Sequence, residues 1–183
     1  MDRNIWETIA NQCAPVLMDV KPSNLLILTR TEEALFQQME EIEGISCIRL
    51  HSGKKSTWLL YRKDRLEAVL IWPQVREFLK IYGYGRLTIE EMLARMAWRY
   101  MLYKEKQADF PHELGVFLGY PLGDVKGFIK HQGKNFLCSG YWKVYQNENR
   151  ARETFQLYRA VRDVMLKMLS AGRSLYEISS YAI

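Results

Sequence analysis

Apolar positions recur at helical spacing near the start of the chain, where Ile5, Ile9 and Cys13 stand at i, i+4 and i+8 with Trp6 beside them. The pattern predicts a short helix over 4–13, closed by Pro15. Lys21-Pro22-Ser23 then reads as a turn into a short buried strand over 24–29. Thr29 followed three residues later by Glu32 forms a capping box, which predicts a helix to Glu43 with Gly44 at its C′ position. Two β-rich runs, 45–50 and 57–62, flank HSGKKS and predict a hairpin. Asp64 is placed to cap a helix over 65–72, and Pro73 to open the next at its first turn. A second capping box, Thr88 to Glu91, predicts a long helix to about Lys106.

The most informative stretch follows, 110–145: FPHELGVFLGYPLGDVKGFIKHQGKNFLCSGYWKVY. Gly115, Gly119, Gly123 and Gly127 recur every four residues, but Pro121 interrupts the run. The expectation is two short helices, about 112–119 and 122–131, meeting at Gly119–Pro121. Residues 135–145 alternate like a strand. Phe136, Cys138, Trp142 and Val144 then share one face, with Leu137, Tyr141, Lys143 and Tyr145 on the other. A final helix over 149–171 carries Leu157, Val161, Val164 and Met168 as its expected buried stripe.

The pattern predicts an α+β fold. A small mixed or antiparallel sheet of about four strands (24–29, 45–50, 56–62 and 135–145) has helices 31–43, 88–106 and 149–171 packed on it. At 183 residues, with no repeat and no linker-like segment, the chain reads as one domain over 1–183. A net charge of +5 permits an anionic partner without demanding one. Three scattered cysteines, Cys13, Cys47 and Cys138, with no CxxC, read as reduced thiols. MDRNIWETIANQCAP lacks the apolar centre of a signal peptide, and no apolar run reaches a membrane span of about 18 residues. These features predict a cytoplasmic protein with no membrane partner.

Candidate chemistry concentrates in 110–145, and each signal has a plainer alternative. His112-Glu113 opens like the zinc motif HExxH, but Val116 stands where the second histidine belongs, so no metal is expected. His112 then reads as a helix-start residue, and Glu113 as a first-turn carboxylate meeting the helix dipole. The pair at 112–131 resembles a DNA-binding helix-turn-helix. Its second helix would offer Leu122, Gly123, Asp124, Lys126, Gly127 and Lys130, which lack bidentate base readers, so nucleic acid is a disfavoured partner. The basic residues of the last helix, Arg150 to Arg173, read as a solvated face. Cys138 reads as a small buried hydrophobe unless a base lies near it. The residues spell out no reaction and no cofactor.

CAPVLMDVKPSNLL, PQVREFLKIYGY, FPHELGVFLGYPLGDVKGFI and GYWKVY together resemble an uncharacterised bacterial protein family, a domain of unknown function. The resemblance covers nearly the whole chain. It implies a cytoplasmic bacterial protein of one domain and assigns no residue a role. Three readings therefore stand side by side. The first is a binding or accessory module holding a small polar ligand or a protein partner through His112, Glu113, Tyr120, Asp124 and Lys143. In this reading the Lys143 side of its strand lines the pocket and the Trp142 side does not. The second is a nucleic-acid-binding protein. The third is an enzyme using His112, Glu113 or Cys138.

Overall fold

The computed structural model describes residues 3–180. It is an α+β protein built on an antiparallel sheet of β1 (Ser23–Thr29), β3 (Lys55–Tyr61) and β2 (Ser46–His51), in that spatial order. Pairing runs Leu25 to Leu59 and Leu26 to Trp58 across β1 and β3, and Ile48 to Leu59 across β2 and β3. The period of two divides the strands' apolar residues between two cores. Leu26, Leu28 and Leu60 face α1 (Arg3–Leu17), with α8 (Glu148–Ser170) and α9 (Leu175–Ser179) completing that layer. Leu25, Ile48, Leu50 and Leu59 face the opposite layer. That layer contains α3 (Lys63–Ile71), α4 (Pro73–Lys80), α5 (Ile89–Lys104), α6 (Leu114–Phe117) and α7 (Leu122–His131).

Both capping boxes form, and Pro73 takes the first turn of α4. Ile5, Ile9 and Cys13 are buried along α1 as their spacing predicts. Four expectations are corrected. Pro15 does not close α1, which runs on to Leu17. A proline inside a helix costs about 3 kcal/mol, and burying Val16 and Leu17 completely returns about 1.5–3 kcal/mol each. The helix α2 (Arg30–Gln37) stops six residues short of Glu43. The chain turns there and buries Ile42 in the α1-side core, while Gly44 keeps its left-handed geometry in the turn into β2. Asp64 lies in the first turn of α3 but does not cap it; Arg62 holds that position without a side-chain cap.

The fourth correction bears on the site. Residues 135–145 do not form a strand of the sheet. They fold into a tight hairpin of β4 (Cys138–Ser139) and β5 (Lys143–Val144) that packs on α8 as a third, small core with Ala151 and Phe155. Phe155 lies so close to Gly140 that any side chain there would overlap its ring. The hairpin also shifts the buried face of α8. Ala151, Phe155 and Tyr158 meet the hairpin half, and Met165 and Leu169 lie in the α1-side core. Leu157 and Val164, expected in the stripe, are 48% and 50% exposed.

Candidate functional site

The end of α1 and the start of β1 form the floor of the glycine-rich block. Arg62 closes the C-terminus of α1 by donating to the carbonyls of Val16 and Leu17 (2.9 and 2.7 Å). The Arg65 guanidinium grips Asp19 with two bonds, 2.5 and 2.7 Å, and holds its carboxyl below the usual range. Lys21 and Pro22 follow, leading into Ser23, whose hydroxyl donates to the Phe117 carbonyl (2.7 Å). The α6–α7 turn therefore sits on the start of β1. Gly119 adopts φ +72°, and a Cβ there would lie 2.5 Å from Pro22. No L-residue satisfies both conditions cheaply.

One turn later, Asp124 is 2% exposed in the first turn of α7. Its Oδ1 accepts from the backbone N–H groups of Tyr145 (2.8 Å) and Gln146 (2.9 Å), and its Oδ2 from Trp142 Nε1 (2.7 Å). The carboxylate thus clamps the hairpin's exit to α7. Gly127 lets the same segment approach, since a Cβ there would stand 2.5 Å from the Tyr145 ring. Of the residues that a DNA reader would offer here, Gly123, Asp124 and Gly127 are turned toward Trp142, Tyr145 and Gln146, and Lys126 and Lys130 are exposed.

Between α6, α7, β1 and the hairpin lies a cavity of about 420 Å³. Leu25, Leu114, Leu118, Val125 and Phe128 give it apolar walls. His112, Tyr120, Asp124 and Lys143 also line it, so four of the five residues predicted as ligand contacts come together. Glu113 does not join them. It is wholly buried on the other side, where its Oε1 accepts from Arg99 Nε and from the Tyr84 hydroxyl (3.2 Å), and its Oε2 has no partner. Burial, then the Glu113 carboxylate, pushes the Tyr84 phenol far above its ordinary value. Glu113 is the N-cap residue of α6, but its side chain makes no cap bond.

The predicted exclusion of Trp142 is also corrected: Trp142 and Lys143 both line the cavity. The reversal at 140–142 ends the alternation that would have put them on opposite faces. Trp142 stacks on Tyr120 at 5.1 Å with 29° between ring planes. Burial pushes the Tyr120 phenol up to about 12, so it is a hydroxyl donor rather than a phenolate at neutral pH. His112 lies between the rings of Phe110 and Phe128, 5.4 and 5.2 Å away. Lys143 Nζ donates to the Gly133 carbonyl (2.7 Å) and lies 5.7 and 5.0 Å from the Phe128 and Phe136 rings.

Sequence reasoning missed Lys21. Its side chain is 3% exposed, with Nζ 5.3 Å from the Tyr120 ring and 5.8 Å from the Tyr158 ring. Among the described residues it has neither a hydrogen-bond acceptor nor a carboxylate neighbour. Burial drives its pKa down from 10.5 to about 8. Nothing local in Lys21-Pro22-Ser23 signals this, because the burial comes from Tyr120 and Tyr158, far along the chain. A second, more polar cavity of about 330 Å³ lies across the Asp124–Trp142 bond and is lined by Gln146, Arg150, Thr154 and Tyr158.

The thiols are separate. Cys13 is buried, with its pKa pushed up to about 12; Cys47 is exposed; Cys138 is half-buried in the hairpin, off the cavity wall. Among the described residues, no group of three or more His, Cys, Asp or Glu is placed to hold a metal ion, and no helix is long and apolar enough to cross a membrane. No curated protein and no solved structure matches the chain. One family model does, over residues 9–179, which takes in every wall of the cavity. The chain belongs to that family, described as a protein of unknown function, DUF3793.

Proposed function

We propose that this protein is a binding module that encloses a small ligand in the cavity between α6, α7 and the hairpin. The observation that carries this reading is the mismatch between walls and groups. The walls are apolar, yet Tyr120 and His112 line the cavity and their side-chain polar atoms have no hydrogen-bond partner among the described residues. A packed core would fill the space or pair the groups. Binding sites commonly combine apolar walls with a few convergent polar groups, in cavities of about 300–1,000 Å³. The ligand therefore has an apolar body and a polar end. The polar character expected from the sequence belongs to that end alone.

The test uses an apolar dye whose fluorescence rises on leaving water. Wild-type protein is expected to bind it saturably at one site. Val125→Phe places a ring where Val125 now lines the cavity and should abolish the rise while the thermal melt stays cooperative. Equal dye binding by a folded Val125→Phe protein would overturn the reading.

A further inference from the structure

We propose that the ligand of this cavity is an organic acid whose carboxylate docks between Lys143 and His112 and whose apolar body lies along Leu25, Leu118 and Val125. The inference rests on the binding reading above and adds the chemical class.

The cavity wall holds more donors than acceptors to match them. Asp124 is the carboxylate on the cavity wall, and its two oxygens already accept three hydrogen bonds. Glu113 is turned away and committed to Arg99 and Tyr84. The remaining polar groups offer protons. Lys143 is an ammonium with three donors and one acceptor, the Gly133 carbonyl. Tyr120 offers a hydroxyl and His112 an imidazole, both unpartnered. Behind the Tyr120 ring stands Lys21, buried and without an anion. Buried cations are ordinarily paired, because desolvation is costly unless an opposite charge offsets it. Here the described residues place no anion beside Lys21, which lies outside the cavity lining and behind Tyr120.

The aromatic rings point the same way. A cationic ligand would need free ring faces. Lys21 already lies over Tyr120, and Lys143 over Phe128 and Phe136. His112 packs against the same Phe128 ring that lies under Lys143, and all three residues line the cavity. Two donors bordering one ring suit a carboxylate, and the aliphatic walls suit what is attached to it.

The experiment is calorimetric titration of octanoate, octanol and octylamine, three probes with one chain and different heads, at pH 7 and fixed ionic strength. Octanoate is expected to bind at least tenfold tighter than octanol, and octylamine more weakly than either. Lys143→Met should bring octanoate to within threefold of octanol while leaving octanol unchanged, and Lys143→Arg should restore the preference. Equal binding of octanoate and octanol to wild type would overturn the acid assignment while leaving the cavity reading intact. Absence of octanoate binding at millimolar concentration, in protein that still takes up the apolar dye, would overturn it as well. Failure of every probe and of the dye would remove both.

Discussion

Glu113 and Lys21 are both buried charged residues, and their surroundings treat them in opposite ways. Glu113, between α5 and α6, meets an arginine and a tyrosine hydroxyl within hydrogen-bond reach. Arg99 is itself 28% exposed, so the pair keeps a path to water. Lys21 meets two aromatic faces and nothing that balances its charge. The first arrangement offsets the charge within the chain, although Oε2 is left without a partner, and it serves the fold. The second leaves a cost behind Tyr120, one of the residues that line the cavity. Buried charge alone therefore does not mark a site. Buried charge left unbalanced behind a cavity wall is the stronger sign.

The largest effect should come from a carboxylate that combines both situations. Asp124 lines the cavity, yet it is as fully paired as any group in the protein. Asp124→Ala would strand the Trp142 indole and two backbone N–H groups, at about 1–3 kcal/mol for each one left dry. A loss of about 4 kcal/mol in urea unfolding is expected, with Trp142 fluorescence shifting to the red as the hairpin loosens. A loss below about 1 kcal/mol would show that Asp124 is held for a ligand rather than for the hairpin.

Glu113→Gln should come next, costing about 3 kcal/mol, the low end for breaking a buried pair because Arg99 can turn to solvent. Ligand uptake by the folded fraction should not change. If uptake falls while stability holds, the placement of Glu113 on the structural side of the comparison is wrong.

Lys21→Met reverses the sign. A lysine whose folded pKa lies below its ordinary value destabilises the native state wherever it is protonated in both states, here below about pH 8. Between about 8 and 10.5 the unfolded chain holds the proton more tightly, so wild-type stability rises with pH and the penalty fades. Removing the charge should therefore stabilise the protein at pH 7, by about 3 kcal/mol at most. The gain over wild type should shrink toward zero by pH 10.5. A variant less stable than wild type at pH 7 would mean that Lys21 is balanced after all.

Much of the fold was legible because it is local. The two capping boxes, the β2–β3 hairpin, Pro73 at a helix start and the Gly119–Pro121 turn each depend on residues within a few positions of one another. The corrections depend on partners far away. Pro15 is tolerated because Val16 and Leu17 find a core. Leu157 loses its place to Phe155 and Tyr158 because a hairpin, not the sheet, covers that half of α8. The candidate site divides the same way. A concentration of His112, Tyr120, Asp124 and Lys143 in one glycine-rich block marked the cavity, since neighbours in two short helices and the adjoining hairpin stay neighbours in space. Which way Glu113 turned was invisible, because Arg99 and Tyr84 decide it. Lys21 was invisible because a lysine before a proline reads as a surface turn.

The smallest expected effect is on stability at Lys143, and it separates the cation of the cavity wall from the one behind Tyr120. Lys143 is half-buried, and its ammonium has one hydrogen bond to the Gly133 carbonyl. Lys143→Met keeps most of the stem's packing against Phe128 and Phe136 and loses that bond, worth about 0.5–1.5 kcal/mol. Removing a partly desolvated charge offsets part of the loss, so the net change in urea unfolding should stay within about 1 kcal/mol. Lys21→Met should stabilise and Lys143→Met should do almost nothing, although both remove one positive charge from the same neighbourhood. A destabilisation of about 3 kcal/mol at Lys143 would instead make its bond to Gly133 a strut of the α7 terminus. In that case the cavity wall would have no uncommitted cation, and the carboxylate would have to be sought nearer Tyr120 and His112.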